Sequence, residues 1–213
     1  FRAEDSNTTR HLAEFWMIEP EIAFADLQDG MALAEAFLQY ALRHVLDVCA
    51  DDLAFLEQHY DKELTATLRS VCSAPFERLT YTRAVEMCAA RDGGQFKWDN
   101  TPEWGEELHT EHERYLAEIV YKKPVIVYNY PKKCKAFYMR LNDDEPAGRE
   151  TVAAMDVLFP RLGEMVGGSQ REERLDVLLA RMEEDGMPLA DYQAYIDLRR
   201  YGTQKHAGFG LGF

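Results

Sequence analysis

Arginines and acids crowd the first fifteen residues of the chain, FRAEDSNTTRHLAEF. Two short runs that favour β-strand, residues 1–4 and 12–15, flank a polar loop. Arg2 and Glu4 are two positions apart, so they share one face of a strand, and Arg10 stands across the loop. Because a planar guanidinium binds phosphate through paired hydrogen bonds, this pattern predicts an anion-binding hairpin. A solvated hairpin with surface ion pairs is the alternative.

Two acids form a second candidate site. Asp156 lies inside the otherwise apolar run TVAAMDVLF, residues 151–159, where an unpaired carboxylate would be costly. Glu164 comes eight positions later, at the start of the next predicted strand, residues 163–170. Two carboxylates on neighbouring strands can hold Mg²⁺ beside a polyphosphate. A structural carboxylate that is paired with a nearby arginine is the alternative.

The run GGSQREER, residues 167–174, supplies a third candidate. Gly167 and Gly168 allow a ligand to approach the backbone closely. Arg171 falls at a strand-to-helix junction and can point into the same site. We expect residues 172–174 in the first helical turn, where acids are ordinary capping residues.

Other short motifs are weaker. HTEHER, residues 109–114, does not match HExxH, and we expect His109 and His112 on a helix surface. GFGLG does not match GxGxxG, and no P-loop or Ser-His-Asp pattern is present in the sequence. The run YNYPKKCKAFY, residues 128–138, mixes lysines with aromatic residues, which favours a solvent-facing edge loop, with a nucleic-acid contact as the alternative.

Composition limits the class of protein. The 213 residues are 46% hydrophobic, enough for a sizeable core, and carry a net charge of −14, which argues against broad non-specific nucleic-acid binding. No run approaches the roughly 18 apolar residues of a membrane span. Four cysteines without CxxC spacing fit a reducing compartment, so we expect a cytoplasmic location and no membrane partner.

Periodicity then predicts the elements that position these residues. Helices are predicted over residues 29–49, 51–71, 82–90, 103–121, 171–185 and 188–200, and strands over residues 124–131, 135–141, 151–159 and 163–170. Asp29 is the expected cap of the first helix. Short connections between the later strands favour antiparallel pairing, so the expected fold class is α+β around an antiparallel sheet.

Several of these motifs together carry a resemblance to a known family. The opening hairpin closely resembles motif 2 of the class II aminoacyl-tRNA synthetases, in the aspartate, asparagine and lysine subgroup, and HAGFGLGF resembles the opening of motif 3. Between them, EHERYL, KAFYMRLND, TVAAMDVLFP and GEMVGGSQREERLDVL are similar to asparaginyl-tRNA synthetases. The resemblance implies the same antiparallel sheet with flanking and inserted helices.

The resemblance also implies residue roles around ATP. Arg2 would hold the α-phosphate, and Glu4 with the segment Arg10, His11 and Leu12 would line the ATP site, Arg10 lying near the outer phosphates. Asp156 and Glu164 would carry Mg²⁺, with Glu164 next to ATP.

For the amino acid, the resemblance implies a pocket of Gly167, Gly168, Arg171 and Glu19. Arg171 would donate to the side-chain carbonyl oxygen of asparagine, and Glu19, on the second motif 2 strand, would accept from its NH₂ group. Arg2 and Arg171 are the catalytic residues that the resemblance implies.

The implied reaction is asparagine–tRNA ligation in two steps. The asparagine carboxylate would attack the α-phosphorus of ATP, pyrophosphate would leave, and the acceptor end of tRNA(Asn) would then take the aminoacyl group. A homodimer is the implied assembly. By the same resemblance, residues 1–213 would be one catalytic domain, incomplete at both ends, without motif 1, the motif 3 arginine and the anticodon-binding β-barrel.

Two other functions stay open at this point. One is a paralogue that activates aspartate for asparagine synthesis, against which Glu19 argues, because its carboxylate would repel that of aspartate. The other is a regulatory protein that has lost catalysis, against which the retained Arg2, Glu4, Asp156, Glu164 and Arg171 argue.

Overall fold

The computed structural model describes residues 1–5, 12–91 and 97–213. Strands in these ranges are β1 (Arg2–Ala3), β2 (Glu14–Phe15), β3 (Met17–Ile18), β4 (Glu21–Ala23), β5 (Glu77–Thr80), β6 (Val125–Pro131), β7 (Thr151–Phe159), β8 (Gly163–Gln170) and β9 (His206–Gly212). The α-helices are α1 (Leu27–Val48), α2 (Ala50–His59), α3 (Leu64–Ser73), α4 (Tyr81–Ala89), α5 (Thr110–Arg114), α6 (Leu175–Glu184) and α7 (Gln193–Arg200). Among these helices, none combines the length and apolar composition that a membrane span requires.

A mixed sheet organises the described residues. Its strand order is β3-β9-β8-β7-β6-β5, with β4 also paired to β9, while β1 and β2 pair with each other. The pairings among β6, β7, β8 and β9 are antiparallel, which confirms the predicted α+β class. Strand β5 was not predicted, and it runs parallel to β6 because α4 and α5 lie in the crossover between them.

Both faces of β7 are covered, which explains its unbroken apolar run. Its residues Ala153, Met155 and Val157 pack with helix α1 on one face. On the other face, Ala154 and Leu158 pack with α4 and with the turn that follows α5. Every residue of β7 is therefore buried, including Asp156.

The first two predicted helices need correction. Helix α1 has the expected extent, but its cap is Asp26 and not Asp29. The Asp26 carboxylate accepts from the backbone N–H of Asp29 at 3.1 Å, and Asp29 accepts in return from the N–H of Asp26 at 3.0 Å. The single helix predicted over residues 51–71 is two helices, because the Asp61 carboxylate binds the Glu63 N–H at 3.1 Å and ends the helical pattern.

The predicted helix over residues 103–121 begins only at Thr110 and continues as a π-helical turn, Tyr115–Val120. Upstream of it, Gly105 has a φ of +96°, which an L side chain rarely adopts. The hydroxyl of Tyr81 accepts from the Gly105 N–H at 3.0 Å and donates to the Glu106 carbonyl at 2.6 Å. This buried hydroxyl holds the chain out of a helix.

The predicted strand over residues 135–141 is wrong. Only isolated bridges, Met139 to Arg171 and Leu141 to Val152, occur in this segment, which crosses the ends of β7 and β8 and does not run alongside them. The helices predicted to start at 171 and 188 start later, at Leu175 and, after a 3₁₀ turn, at Gln193.

Candidate active site

The predicted site residues that the structure describes line one cavity of about 670 Å³. They are Arg2, Glu4, Leu12, Glu19, Asp156, Glu164, Gly167, Gly168 and Arg171. Arg10 and His11 lie outside the described residues. The cavity therefore brings together residues that are up to 169 positions apart in the sequence, from three separate motifs.

The floor of the cavity is a row of small residues across the sheet. Asp156 of β7 is paired with Gly167 of β8, and Gly167 with Gly210 of β9. A Cβ at Gly167 would lie 2.9 Å from the Glu164 carboxylate, so this glycine leaves room for that side chain. Gly168 faces the other way, since its Cβ would lie 2.8 Å from Met155 Cε in the core under α1.

The opening hairpin forms one wall. Arg2 and Glu4 share a face, as predicted, and their side chains form an ion pair at 2.7 Å. Both groups are partly exposed, so the pair is worth little to stability and can be exchanged for a ligand. Strands β1 and β2 pair through Arg2 and Phe15, which places the arginine against the chain that leads into β3.

Arg171 follows β8 and is held from two sides. Its Nη1 donates to Ser169 Oγ at 2.7 Å, and its Nε donates to Glu21 Oε1 at 3.0 Å, with Nη2 also contacting Glu21. The ring of Tyr138 lies 5.4 Å from the guanidinium carbon. Because these partners fix the plane of the guanidinium, the remaining N–H groups have a set direction for a ligand.

Glu21 was missed by sequence reasoning. It lies on β4, and its carboxylate occupies the space that a side chain at Gly208 would take. Glu19 lies in the short link between β3 and β4, and not on a strand as expected, and it also lines the cavity. The signal for Glu21 was present, because Glu19 and Glu21 have the same two-residue spacing as Arg2 and Glu4.

Asp156 has a lysine partner, which sequence reasoning also missed. Lys135 Nζ donates to Asp156 Oδ2 at 2.6 Å, and both side chains are mostly buried. Lys135 was assigned to a strand or solvent-facing loop, but it reaches the cavity. Burial, then the charge of Asp156, raises the pKa of the nearby Tyr130 hydroxyl well above its usual value.

The run REER differs from its predicted role as a helical turn. Glu172 is buried and lies before helix α6, where its carboxylate accepts from Arg174 Nε at 2.8 Å and from the Leu141 N–H at 2.9 Å. The pKa of Arg174 is raised, first by this hydrogen bond with Glu172. The pair anchors the backbone that presents Arg171.

Two carboxylates, Asp156 and Glu164, are the oxygen donors that a magnesium ion prefers. Asp156 lies on β7 and Glu164 on β8, and both carboxylates lie near Gly167 of β8. In the described ranges, no cluster of three or more histidines, cysteines and acids exists that could hold a metal. Any cation at the pair would therefore need further ligands from a substrate or from water.

Comparisons with known proteins agree with this geometry. The family model described as class II tRNA synthetases (D, K and N) matches residues 1–213. The chain is 56% identical to a cytoplasmic asparagine–tRNA ligase of Arabidopsis thaliana, over all of this chain and 36% of that protein. It is 58% identical to an asparagine–tRNA ligase of Oleidesulfovibrio alaskensis, over all of this chain and 45% of that protein.

A solved structure is also similar. The asparaginyl-tRNA synthetase of Pyrococcus horikoshii in complex with asparaginyl-adenylate is 40% identical, with a TM-score of 0.84, over all of this chain and 45% of that one. The chain thus spans less than half the length of these relatives. Sequence, fold and cavity agree, and the chain belongs to the class II aminoacyl-tRNA synthetases that act with aspartate, lysine and asparagine.

Proposed function

We propose that the protein is an asparagine–tRNA ligase, which activates asparagine with ATP and transfers it to tRNA(Asn). The observation that carries this proposal is that one cavity gathers the predicted ATP, amino-acid and metal residues that the structure describes. The identity of 56–58% to asparagine–tRNA ligases over the whole of this chain supports the choice of amino acid.

Selection of asparagine rests on Arg171 and Glu19. Arg171 donates to the side-chain carbonyl oxygen, and Glu19 accepts from the NH₂ group. Aspartate would place a second carboxylate against Glu19, and Glu21 adds further negative charge beside Arg171. A site built from polar groups rejects the wrong ligand strongly, because the mismatch leaves those groups unpaired.

Activation needs position and charge, and no protein nucleophile. The asparagine carboxylate attacks the α-phosphorus of ATP, the bond to the bridging oxygen breaks, and pyrophosphate leaves. Arg2 holds the α-phosphate, after its ion pair with Glu4 is exchanged for the ligand. Glu4 and Leu12 line the ATP site, as do Arg10 and His11 in this proposal.

Transfer is the second step of the proposed reaction. The hydroxyl of the terminal ribose of tRNA attacks the carbonyl carbon of the adenylate, the bond from that carbon to the phosphate oxygen breaks, and AMP leaves while the hydroxyl proton passes to water. Arg2 holds the phosphate of the adenylate and Arg171 holds its asparagine side chain during this step, so catalysis comes from alignment of the reacting atoms.

Mg²⁺ belongs to the proposal through Asp156 and Glu164, whose oxygens suit it. When bound, it neutralises charge on the polyphosphate. The acceptor end of tRNA(Asn), a homodimer and a cytoplasmic location are further parts of the proposal, and the Arabidopsis relative named as cytoplasmic supports the last.

Pyrophosphate exchange into ATP with Mg²⁺ tests the proposal on the full-length protein. We expect exchange with asparagine and at least a hundredfold less with aspartate, as a polar mismatch predicts. Glu19→Gln removes the repelling charge, so it should narrow this ratio about tenfold or more. Glu14→Gln, at an exposed acid on β2, is the matched control and should leave the ratio unchanged.

Two results would contradict the proposal. Exchange that prefers aspartate would favour a paralogue that makes asparagine. Exchange with neither amino acid by a folded full-length protein would favour a regulatory protein without catalysis.

A further inference from the structure

Lys135 occupies an unusual place for a lysine next to a cavity. Its ammonium donates to Asp156 Oδ2 at 2.6 Å and lies 4.1 Å from the centre of the Tyr130 ring. The side chains of Lys135 and Asp156 are only 18% and 10% exposed. A lysine normally keeps its charged end in water, so its burial here requires these partners.

The backbone of Lys135 is fixed from behind. Arg181, on helix α6, donates through Nη2 to the carbonyl oxygens of Lys132 and Lys135, at 2.7 and 3.0 Å. Arg181 is itself held by Asp185 at 3.1 Å. The position of the ammonium is therefore set by the fold and does not depend on a flexible surface loop.

The other oxygen of Asp156 faces the cavity. Asp156 Oδ1 and Glu164 Oε1 lie 3.7 and 2.9 Å from the same point, the position of a Cβ at Gly167. Lys135 thus binds one oxygen of the carboxylate pair and leaves the two cavity-facing oxygens in place. Its positive charge also offsets the negative charge of Asp156.

That charge matters for a divalent cation. A magnesium ion bound by only one or two carboxylates relies on substrate phosphates for the rest of its shell. A fixed positive charge near the pair repels a free cation, whereas the negative polyphosphate of ATP offsets the repulsion. We propose that Lys135 is a positioning residue that prevents the Asp156–Glu164 pair from holding a free divalent cation and so couples metal binding to ATP. This inference rests on the metal site of the proposed function.

Binding of Mn²⁺, followed by electron paramagnetic resonance on the full-length protein without ATP, tests this inference. Lys135→Met removes the charge, and Lys135→Gln removes the charge but keeps a group that can donate to Asp156. Both should bind free Mn²⁺ about tenfold more tightly than the wild type, since the repulsion between nearby charges is lost. The gain should disappear when Asp156→Asn is added to Lys135→Met.

Lys133→Met is the matched control. Lys133 is two positions away from Lys135 and pairs with Glu106 on the surface at 2.8 Å. Its replacement by methionine removes the same unit of positive charge. It should leave Mn²⁺ affinity unchanged. Circular dichroism and the thermal midpoint show whether each variant is folded, and the Gln variant serves where the Met variant is not.

The outcomes separate the inference from the proposed function. Unchanged or weaker Mn²⁺ binding by a folded Lys135 variant overturns the inference, and so does an equal gain in Lys133→Met. The proposed metal site can stand without the inference. It stands if, in the presence of ATP, the wild type binds Mn²⁺ and the Asp156→Asn variant does not. If wild type retains no Mn²⁺ beyond that bound to ATP itself, the metal site fails together with the inference.

Discussion

The cavity floor and the segment over residues 97–121 both keep ionisable side chains away from water, by different means. At the floor, Asp156 is paired with Lys135 at 2.6 Å. In the segment, His112 is buried with backbone partners, since its Nδ1 accepts from the His109 N–H at 3.1 Å and its Nε2 donates to the Asn100 carbonyl at 2.9 Å. Trp98 packs against the same ring, with centroids 4.7 Å apart.

The difference teaches what each kind of burial can do. A charged pair leaves a second carboxylate oxygen able to meet a ligand, as Asp156 Oδ1 does beside Gly167. A neutral imidazole whose two nitrogens are both bound to backbone has no capacity left and can only hold the fold. We therefore expect some substitutions at the floor to lower stability and others to lower activity. Substitutions in the segment should affect stability alone.

The largest expected effect lies at Gly168, on the core side of β8 beneath the floor. Gly168→Ala places a Cβ 2.7 Å from Phe209 Cβ and 2.8 Å from the Gly208 carbonyl oxygen, which cannot move aside easily. We expect a loss of about 3 kcal/mol in the free energy of unfolding, as for an overpacked core. Urea unfolding followed by circular dichroism measures it.

Gly167→Ala is the matched control, because its Cβ would crowd only the end of the flexible Glu164 side chain, at 2.9 Å, and would lie in ordinary contact with Asp156 Oδ1, at 3.7 Å. We expect a loss below about 1 kcal/mol in stability, together with weaker asparagine-dependent pyrophosphate exchange. Equal losses of stability in the two variants would contradict this picture, in which Gly168 faces the packed core and Gly167 faces the open cavity.

Strands β6, β7 and β8 were the more predictable part of the molecule. The short connection between β7 and β8 indicates neighbouring strands, so Asp156 and Glu164 could be placed near each other from sequence. Their shared face could not be read from a period of two, because it depends on a register shift between Val157 and Leu158. The partner of Asp156 could not be placed either, because Lys135 comes from a segment that crosses the strand ends. Glu21 was missed although its two-residue spacing from Glu19 was visible, because its pairing with Arg171 spans 150 residues.

The helical region was less predictable, since single side chains override its periodicity. Asp61 divides one predicted helix into two, and the Tyr81 hydroxyl keeps the chain around Gly105 out of a helix. His112 was expected on a helix surface, but it is 1% exposed. Nothing in the local pattern distinguishes it from His109, because its partner Asn100 lies in a preceding loop.

His112→Ala should give the next largest effect, a loss of about 2 kcal/mol in the free energy of unfolding, because it leaves two backbone groups without their partner. Burial lowers the pKa of His112, so the folded protein keeps the ring neutral. The unfolded chain takes up the proton first as pH falls below about 6.5, so this part of the stability is present above that pH and lost below it.

Urea unfolding at pH 7.5 and 5.5 checks this dependence. The wild type should lose stability between the two values, and His112→Ala should lose less. His44→Gln, at an exposed histidine of α1, should behave as the wild type does. If His112→Ala loses as much stability as the wild type between pH 7.5 and 5.5, other groups carry the pH dependence. The burial of His112 would then not distinguish the segment from the floor in the way we infer.

The smallest effect concerns the cap of α1, the helix that covers the core face of the sheet behind the cavity. Asp26→Ala removes hydrogen bonds to the N–H groups of Gln28 and Asp29, and should cost about 1 kcal/mol. Asp26→Asn should retain most of the stability, because an asparagine oxygen also caps. Asp29→Ala should cost less than Asp26→Ala, since it removes only the return hydrogen bond of the capping box. Thermal unfolding of the three variants measures this order. The reverse order of stabilities would mean that Asp29 is the cap, as periodicity predicted. Pyrophosphate exchange should be unchanged in all three variants, because neither acid lines the cavity.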